Sequence, residues 1–169
     1  PYRGVALHAP YSVSEKLARQ VFEKYATDNI VSIHLCEHDE ERQFLESGTG
    51  RLAELFLRRG LNIKDTYYAS PVDWLDAVGG LTSSTLAVHC GNLRADELRR
   101  LDHAGVDIVF CPGTHKYFDR PPPAFAEVSG LLPALGCDSL ASNQRLDPLY
   151  ELRCAKEIIP EISSQMWWQ

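Results

Sequence analysis

The sequence predicts an α/β fold built on a parallel sheet. Five short apolar runs, most of them rich in branched residues, alternate with stretches of helical periodicity, and histidines stand near the ends of three of the runs. The 169 residues leave room for one domain with a real core, and 44% of them are hydrophobic, which excludes a disordered chain.

The first run is GVALH, residues 4–8, ending in His8. Ser12-Val-Ser-Glu15 reads as a capping box, and Leu17, Ala18, Val21, Phe22 and Tyr25 follow at helical spacing. Ile30-Val-Ser-Ile-His-Leu35 is short and β-branched, the pattern of a buried strand. Residues 39–45 and 51–59 read as helices, the second stopped by Gly60. Ser70 caps a further short helix with Pro71 in its first turn. Thr85-Leu-Ala-Val-His-Cys90 is the third run, residues 95–104 a helix ended by Gly105, and Val106-Asp-Ile-Val-Phe-Cys111 the fourth run. Residues 121–123 form a proline-rich loop. A weak strand at 131–136 leads into Cys137 and Asp138, and Asp147-Pro148 opens a helix running to about residue 159. An open doubly wound sheet and a (β/α)8 barrel both accommodate this alternation. A barrel needs eight strands and typically about 250 residues, so here it would be a second half.

The net charge of −6 and the lack of any basic run argue against a nucleic-acid surface. There is no signal peptide and no apolar stretch long enough to span a membrane. The five cysteines are scattered without a C-x-x-C pair, which reads as reduced thiols in a cytoplasmic protein. A chain that starts at Pro1 and stops in MWWQ reads as a piece of something longer.

His8, His34 and His89 each close an apolar run, and Asp138 sits just past the last one. In parallel α/β folds the C-terminal ends of the strands carry the active site. Taken singly, a histidine near a strand end is more often a satisfied structural residue. Delivered to one rim by four strands, these groups argue for a shared site. His34, Glu37 and His38 also fit H-x-x-E-H, an inverted zinc-protease signature. That motif needs a helix at 33–38, whereas residues 30–33 have strand character, so His34 and His38 would not converge and His38 falls in a loop. Glu37 can still reach into the mouth of a barrel. His34 and Asp138 are suited to bind a divalent metal, Zn or else Fe or Mn, that lowers the pKa of a bound water. Glu37 would shuttle protons and His89 would orient the attacking oxygen, a set suited to hydrolysis at a carbon–nitrogen bond. A catalytic zinc usually has three protein ligands plus water. The chain contains no H-x-H, so the remaining ligands are expected from strands outside it.

HAPYSVS (8–14), IHLCEHDEE (33–41), LAVHC (86–90), FCPGTH (110–115) and LGCDSLASNQRLD (135–147) together resemble the amidohydrolase superfamily, in its cytosine deaminase and chlorohydrolase branch. Within that branch they look most like aminodeoxyfutalosine deaminases of menaquinone biosynthesis. The resemblance implies a metal-dependent (β/α)8 TIM barrel, of which residues 1–169 would be a partial domain, about strands four to eight. It implies that His34 and Asp138 are metal ligands, and that Asp138 takes the water's proton. Glu37 would protonate the purine ring, His89 would sit near the metal-bound water, and His8 would contact substrate, with Ser139 in support. Residues 140–143 would shape the last loop. Cys137 stands where the family often has threonine, and Gly113-Thr114-His115 where many members have arginine, serine and asparagine. The implied activity is deamination of an aminopurine nucleoside, acting on a small molecule without nucleic acid or membrane, with a homodimer allowed. The alternatives are S-adenosylhomocysteine, adenosine, guanine, a pyrimidine or a chlorinated triazine as substrate, or a catalytically inactive barrel fragment.

Overall fold

The computed structural model of the chain describes residues 4–61 and 67–167. Five parallel strands pair in chain order: β1 (Gly4–Ala6), β2 (Ile30–Leu35), β3 (Thr85–His89), β4 (Asp107–Phe110) and β5 (Ala134–Leu135). A doubly wound sheet reverses its strand order at a switch point. This sheet never does, which is the winding of a barrel segment and decides against the open alternative.

The apolar layer follows from strand parity. In β2, Val31, Ile33 and Leu35 are fully buried, while Ser32 and His34 between them are half-buried. The register sets Ile33 beside Ala87 and Ala87 beside Ile108, so neighbouring strands present their buried residues to the same face. Helices α1 (Glu15–Tyr25), α2 (Asp39–Ser47), α3 (Gly50–Arg58), α4 (Pro71–Ala77) and α5 (Ala95–His103) precede β4. Ala18 and Phe22 of α1, Trp74 and Leu75 of α4, and Leu98 and Leu101 of α5 join that layer in one core. After β4 come α6 (Pro112–Tyr117), a 3₁₀ turn at Ala124–Glu127, α7 (Pro148–Ile158) and α8 (Ser164–Trp167).

The expected stop signals work through left-handed glycines. At Gly105, with φ 72°, the Gly105 N–H reaches the Asp102 carbonyl and the Val106 N–H reaches the Leu101 carbonyl, both at 3.0 Å. This closes the last turn of α5 and turns the chain directly into the next strand region. Gly60 ends α3 in the same way, one residue earlier than expected.

Several boundaries differ from expectation. The N-cap of α1 is Ser14, whose hydroxyl accepts the Leu17 N–H, and not Ser12, whose hydroxyl instead meets the His8 ring. The first run is strand only over Gly4–Ala6, which leaves His8 two residues beyond it. The run at 131–136 is strand only over Ala134–Leu135. Helix α6, which opens on Pro112, lies outside the helices expected from the sequence. The proline occupies the first helical position, where its missing N–H costs nothing. All five cysteines are free thiols. Among the described residues no helix is long and apolar enough to cross a membrane.

Ile33 is fully buried on β2, flanked by β1 and β3. Ile33→Ala is expected to destabilise the fold by about 2–5 kcal/mol, read as a lower urea midpoint.

Candidate active site

His34 projects from the face of β2 opposite its buried residues. Its backbone N–H and its ring Nδ1 both meet the His8 carbonyl, at 3.0 and 2.7 Å. A carbonyl only accepts, so Nδ1 carries the proton and Nε2 keeps a free lone pair. That is the tautomer a metal-ligating histidine adopts when a carbonyl orients its other nitrogen. The His8 ring lies 5.4 Å from that of His34, and its Nδ1 is 2.5 Å from the Ser12 hydroxyl.

His89 arrives on the rim for a different reason. The register sets Leu35 opposite His89 and His34 opposite Val88. Simple alternation would therefore send the two histidines to opposite faces. His89 and Cys90 instead have left-handed backbones, φ 73° and 51°, a conformation uncommon outside glycine. The turn returns the His89 ring to the rim, stacked on His34 with centroids 5.4 Å apart and planes 24° apart. His89 is buried, and this burial lowers its pKa despite the opposing fields of Glu37 and Asp138. It is therefore a neutral imidazole near neutral pH.

Glu37 follows the end of β2. One carboxylate oxygen lies 3.8 Å from His89 Nε2, and the other accepts a hydrogen bond from Arg120 at 2.9 Å. Burial pushes its pKa upward, but His89 and Arg120 outweigh that and hold it below the ordinary 4.5. Asp138, also left-handed at φ 55°, receives hydrogen bonds on Oδ2 from Thr114 at 2.8 Å and Ser142 at 2.7 Å. Burial raises its pKa, and these hydroxyls together with His89 and His34 lower it further than burial raises it. Ser139, expected to support Asp138, instead lies 3.3 Å from the Ser142 hydroxyl, and Ser142 makes the direct contact.

The segment at 33–38 is not a helix, which excludes the inverted zinc-protease geometry. His38 lies in the loop between β2 and α2, as expected. It is the N-cap of α2, its Nδ1 accepting the Glu41 N–H at 3.1 Å. Glu37, His38, Asn92, His115 and Arg120 line a cavity of about 780 Å³ at the rim.

Sequence reasoning missed Arg120, Thr114, Glu41 and Glu151. Glu41 is fully buried, and its carboxylate accepts the backbone N–H groups of Cys36 and Glu37 at 2.9 and 3.2 Å. Burial pushes its pKa up to about 7. Glu151, also fully buried, accepts the Gly113 N–H and an Asn143 amide N–H, and Asn143 donates to the Cys137 carbonyl beside Asp138. An acid three residues past an N-cap was the one available signal, and it applied only to Glu41.

The donor set fits part of a metal shell. His34 offers Nε2, and Asp138 offers Oδ1, which makes no hydrogen bond among the described residues. Among the described residues no three His, Cys, Asp or Glu side chains gather closely enough to form a whole shell.

No protein-family model matches the chain. The chain is 29% identical to the aminodeoxyfutalosine deaminase of Deinococcus radiodurans, over 96% of its own length and 42% of that protein. It is 33% identical to the 5-methylthioadenosine/S-adenosylhomocysteine deaminase of Pyrococcus abyssi, over 89% of this chain and 32% of that one. The solved adenosine deaminase of Xanthomonas campestris, with bound zinc, superposes with a TM-score of 0.65 at 26% identity, covering 92% of this chain and 33% of that one. The chain thus spans less than half of these relatives. It is similar to amidohydrolase-type deaminases, and its sheet is a part of their barrel.

Arg120→Gln removes one of the two groups that hold Glu37 ionised. A carbon-detected NMR titration should show the Glu37 carboxyl moving to higher pH, and an unmoved titration would show that Arg120 does not hold it. A depressed carboxyl pKa adds stability above the unfolded value and loses it as pH falls through the folded one. The stability gap between wild type and variant should therefore be largest near neutral pH. It should close once pH falls below the wild-type value of Glu37, itself under 4.5.

Proposed function

We propose that the protein is a metal-dependent hydrolytic deaminase of an aminopurine nucleoside, aminodeoxyfutalosine-like, with this chain forming the C-terminal part of its barrel. The observation that carries the reading is the gathering of Glu37, His89 and Asp138 around His34 on one rim. The similarity to deaminases of aminodeoxyfutalosine and of 5-methylthioadenosine supports the reaction class, and the zinc in the Xanthomonas enzyme supports the choice of metal.

His34 and Asp138 would hold the ion, with the other ligands supplied from outside this chain. When bound, a divalent ion there supplies Lewis acidity that brings the pKa of a water toward neutral. Asp138, ionised by its hydroxyl donors, would accept a proton from the attacking water as the water oxygen bonds to the carbon bearing the amino group. Neutral His89 holds the oxygen in line by a hydrogen bond. Glu37 delivers a proton to the ring nitrogen beside the attacked carbon. A substrate that displaces Arg120 from Glu37 leaves burial less opposed, which raises the Glu37 pKa as a proton donor requires. The proton on Asp138 then passes to the leaving nitrogen, the carbon–nitrogen bond breaks and ammonia departs, and the hydroxyl proton left on the product oxygen returns to Glu37 as the carbonyl forms. His8 lines the substrate side of the rim, and a role in the cytoplasmic synthesis of menaquinone follows from the aminodeoxyfutalosine reading.

The test is the purified full-length gene product, assayed by ultraviolet absorbance against aminopurine nucleosides and by elemental analysis for metal. Glu37→Gln should lower kcat by about 10²–10⁴-fold with metal retained. Asp138→Ala should lose both turnover and metal. If Glu37→Gln also empties the site, the role of Glu37 is wrong. Turnover of guanine or a triazine alone would move the substrate to another branch member, and metal-free, inert protein would mean an inactive barrel.

A further inference from the structure

Glu41 occupies the third position of α2, where a glutamate ordinarily bonds back to the N-cap N–H. Here it does something else. The N-cap is His38, and the Glu41 carboxylate reaches past it to the two preceding amides, those of Glu37 and Cys36. Two successive N–H groups in a turn make a cradle for one anion. A fully buried carboxylate is costly unless its oxygens are satisfied, and an apolar side chain would fill the same space without that cost. The helix cap does not require this carboxylate, because the His38 ring accepts the Glu41 N–H. What the grip does fix is the bend by which the chain leaves β2. Cys36, the first residue past the strand, is left-handed at φ 48°, and Glu37 follows it. That bend aims the Glu37 carboxylate at His89 and Arg120.

We propose that Glu41 is a positioning residue for Glu37: its buried carboxylate clamps the Cys36 and Glu37 amides and holds the strand-end bend in the one form that delivers Glu37 to the rim. Without the clamp, Cys36 relaxes toward ordinary backbone angles and the Glu37 carboxylate leaves its partners. The catalytic half of this inference rests on the proton-transfer role proposed above for Glu37, and the structural half does not.

Amide hydrogen exchange tests the clamp without substrate. In wild type the Cys36 and Glu37 amides should exchange slowly although they lie outside any strand or helix. Glu41→Gln should speed both while the amides of β2 and β3 keep their protection, which also reports that the variant is folded. Fast exchange of these amides in wild type, or no change in the variant, overturns the clamp. In the full-length enzyme Glu41→Gln should lower kcat by roughly 10²-fold with metal retained, the scale of a small misplacement of a reacting group. In a Glu37→Gln background the same substitution should cost almost nothing, because it acts through a group already removed. An equal loss in both backgrounds overturns the positioning role and leaves a merely structural one. A Glu37→Gln enzyme with undiminished kcat would overturn the reading of Glu37 itself, and the exchange result would still decide the clamp.

Discussion

Behind the rim lie carboxylates that never meet solvent, and the arrangement of the site depends on them. Glu41, Glu97 and Glu151 are each fully buried. Each accepts a backbone N–H from a segment that follows a strand: Cys36 and Glu37 for Glu41, Arg94 for Glu97, Gly113 for Glu151. Isolated buried charges cost several kcal/mol each, so they persist only where every oxygen is engaged. Here they are engaged. Glu97 also takes Arg42 in a two-pronged pair at 2.9 and 2.6 Å, and Glu151 takes the Asn143 amide at 2.6 Å. The interior thus fixes loop backbones from behind, while the strands fix them from below.

Strain gathers at the strand ends beside these anchors, and Cys36 is itself anchored. Cys36, His89, Cys90 and Asp138 all sit at positive φ just at or past strand ends. Each such residue costs on the order of 1–3 kcal/mol and persists only where its surroundings over-determine it. The strain has a geometric use, since it turns side chains that simple alternation would scatter toward one rim. His89 is the clearest case. Its left-handed backbone overrides the register with β2 and stacks its ring on His34.

The electrostatics of the rim follow from that convergence. Two carboxylates, Glu37 and Asp138, are held ionised by different means. Glu37 relies near neutral pH on the Arg120 guanidinium, with His89 adding its charge only once it is protonated at lower pH, and Asp138 relies chiefly on two hydroxyls. His89 between them stays neutral because its burial outweighs both negative fields. A rim of this kind can take a proton at one carboxylate and give one at the other, provided a ligand changes the company of Glu37.

Much of this was legible in the sequence. Alternating runs and caps implied a parallel sheet, the short β-branched stretch at 30–35 implied that His34 lies on a strand, and local order alone ruled out a helical metal motif there. Strand parity settles which face His34 takes, because parity is a property of neighbouring residues. The partners of these groups were not legible. Arg120 lies 83 positions from Glu37, Thr114 lies 24 from Asp138, and Glu151 lies 38 from Gly113. No local pattern marks such pairs, and a glutamate in a helix reads by default as a solvated surface residue. The left-handed bends were hidden for the same reason. Nothing in the identity of His89 or Asp138 demands positive φ, and only the packed rim, with its hydrogen bonds from distant segments, makes that conformation the lowest in energy. The sequence by itself determined the strands and the chemical types brought to their ends. The tertiary structure decided how those groups point, because their orientation is set by contacts that exist only once the chain has folded.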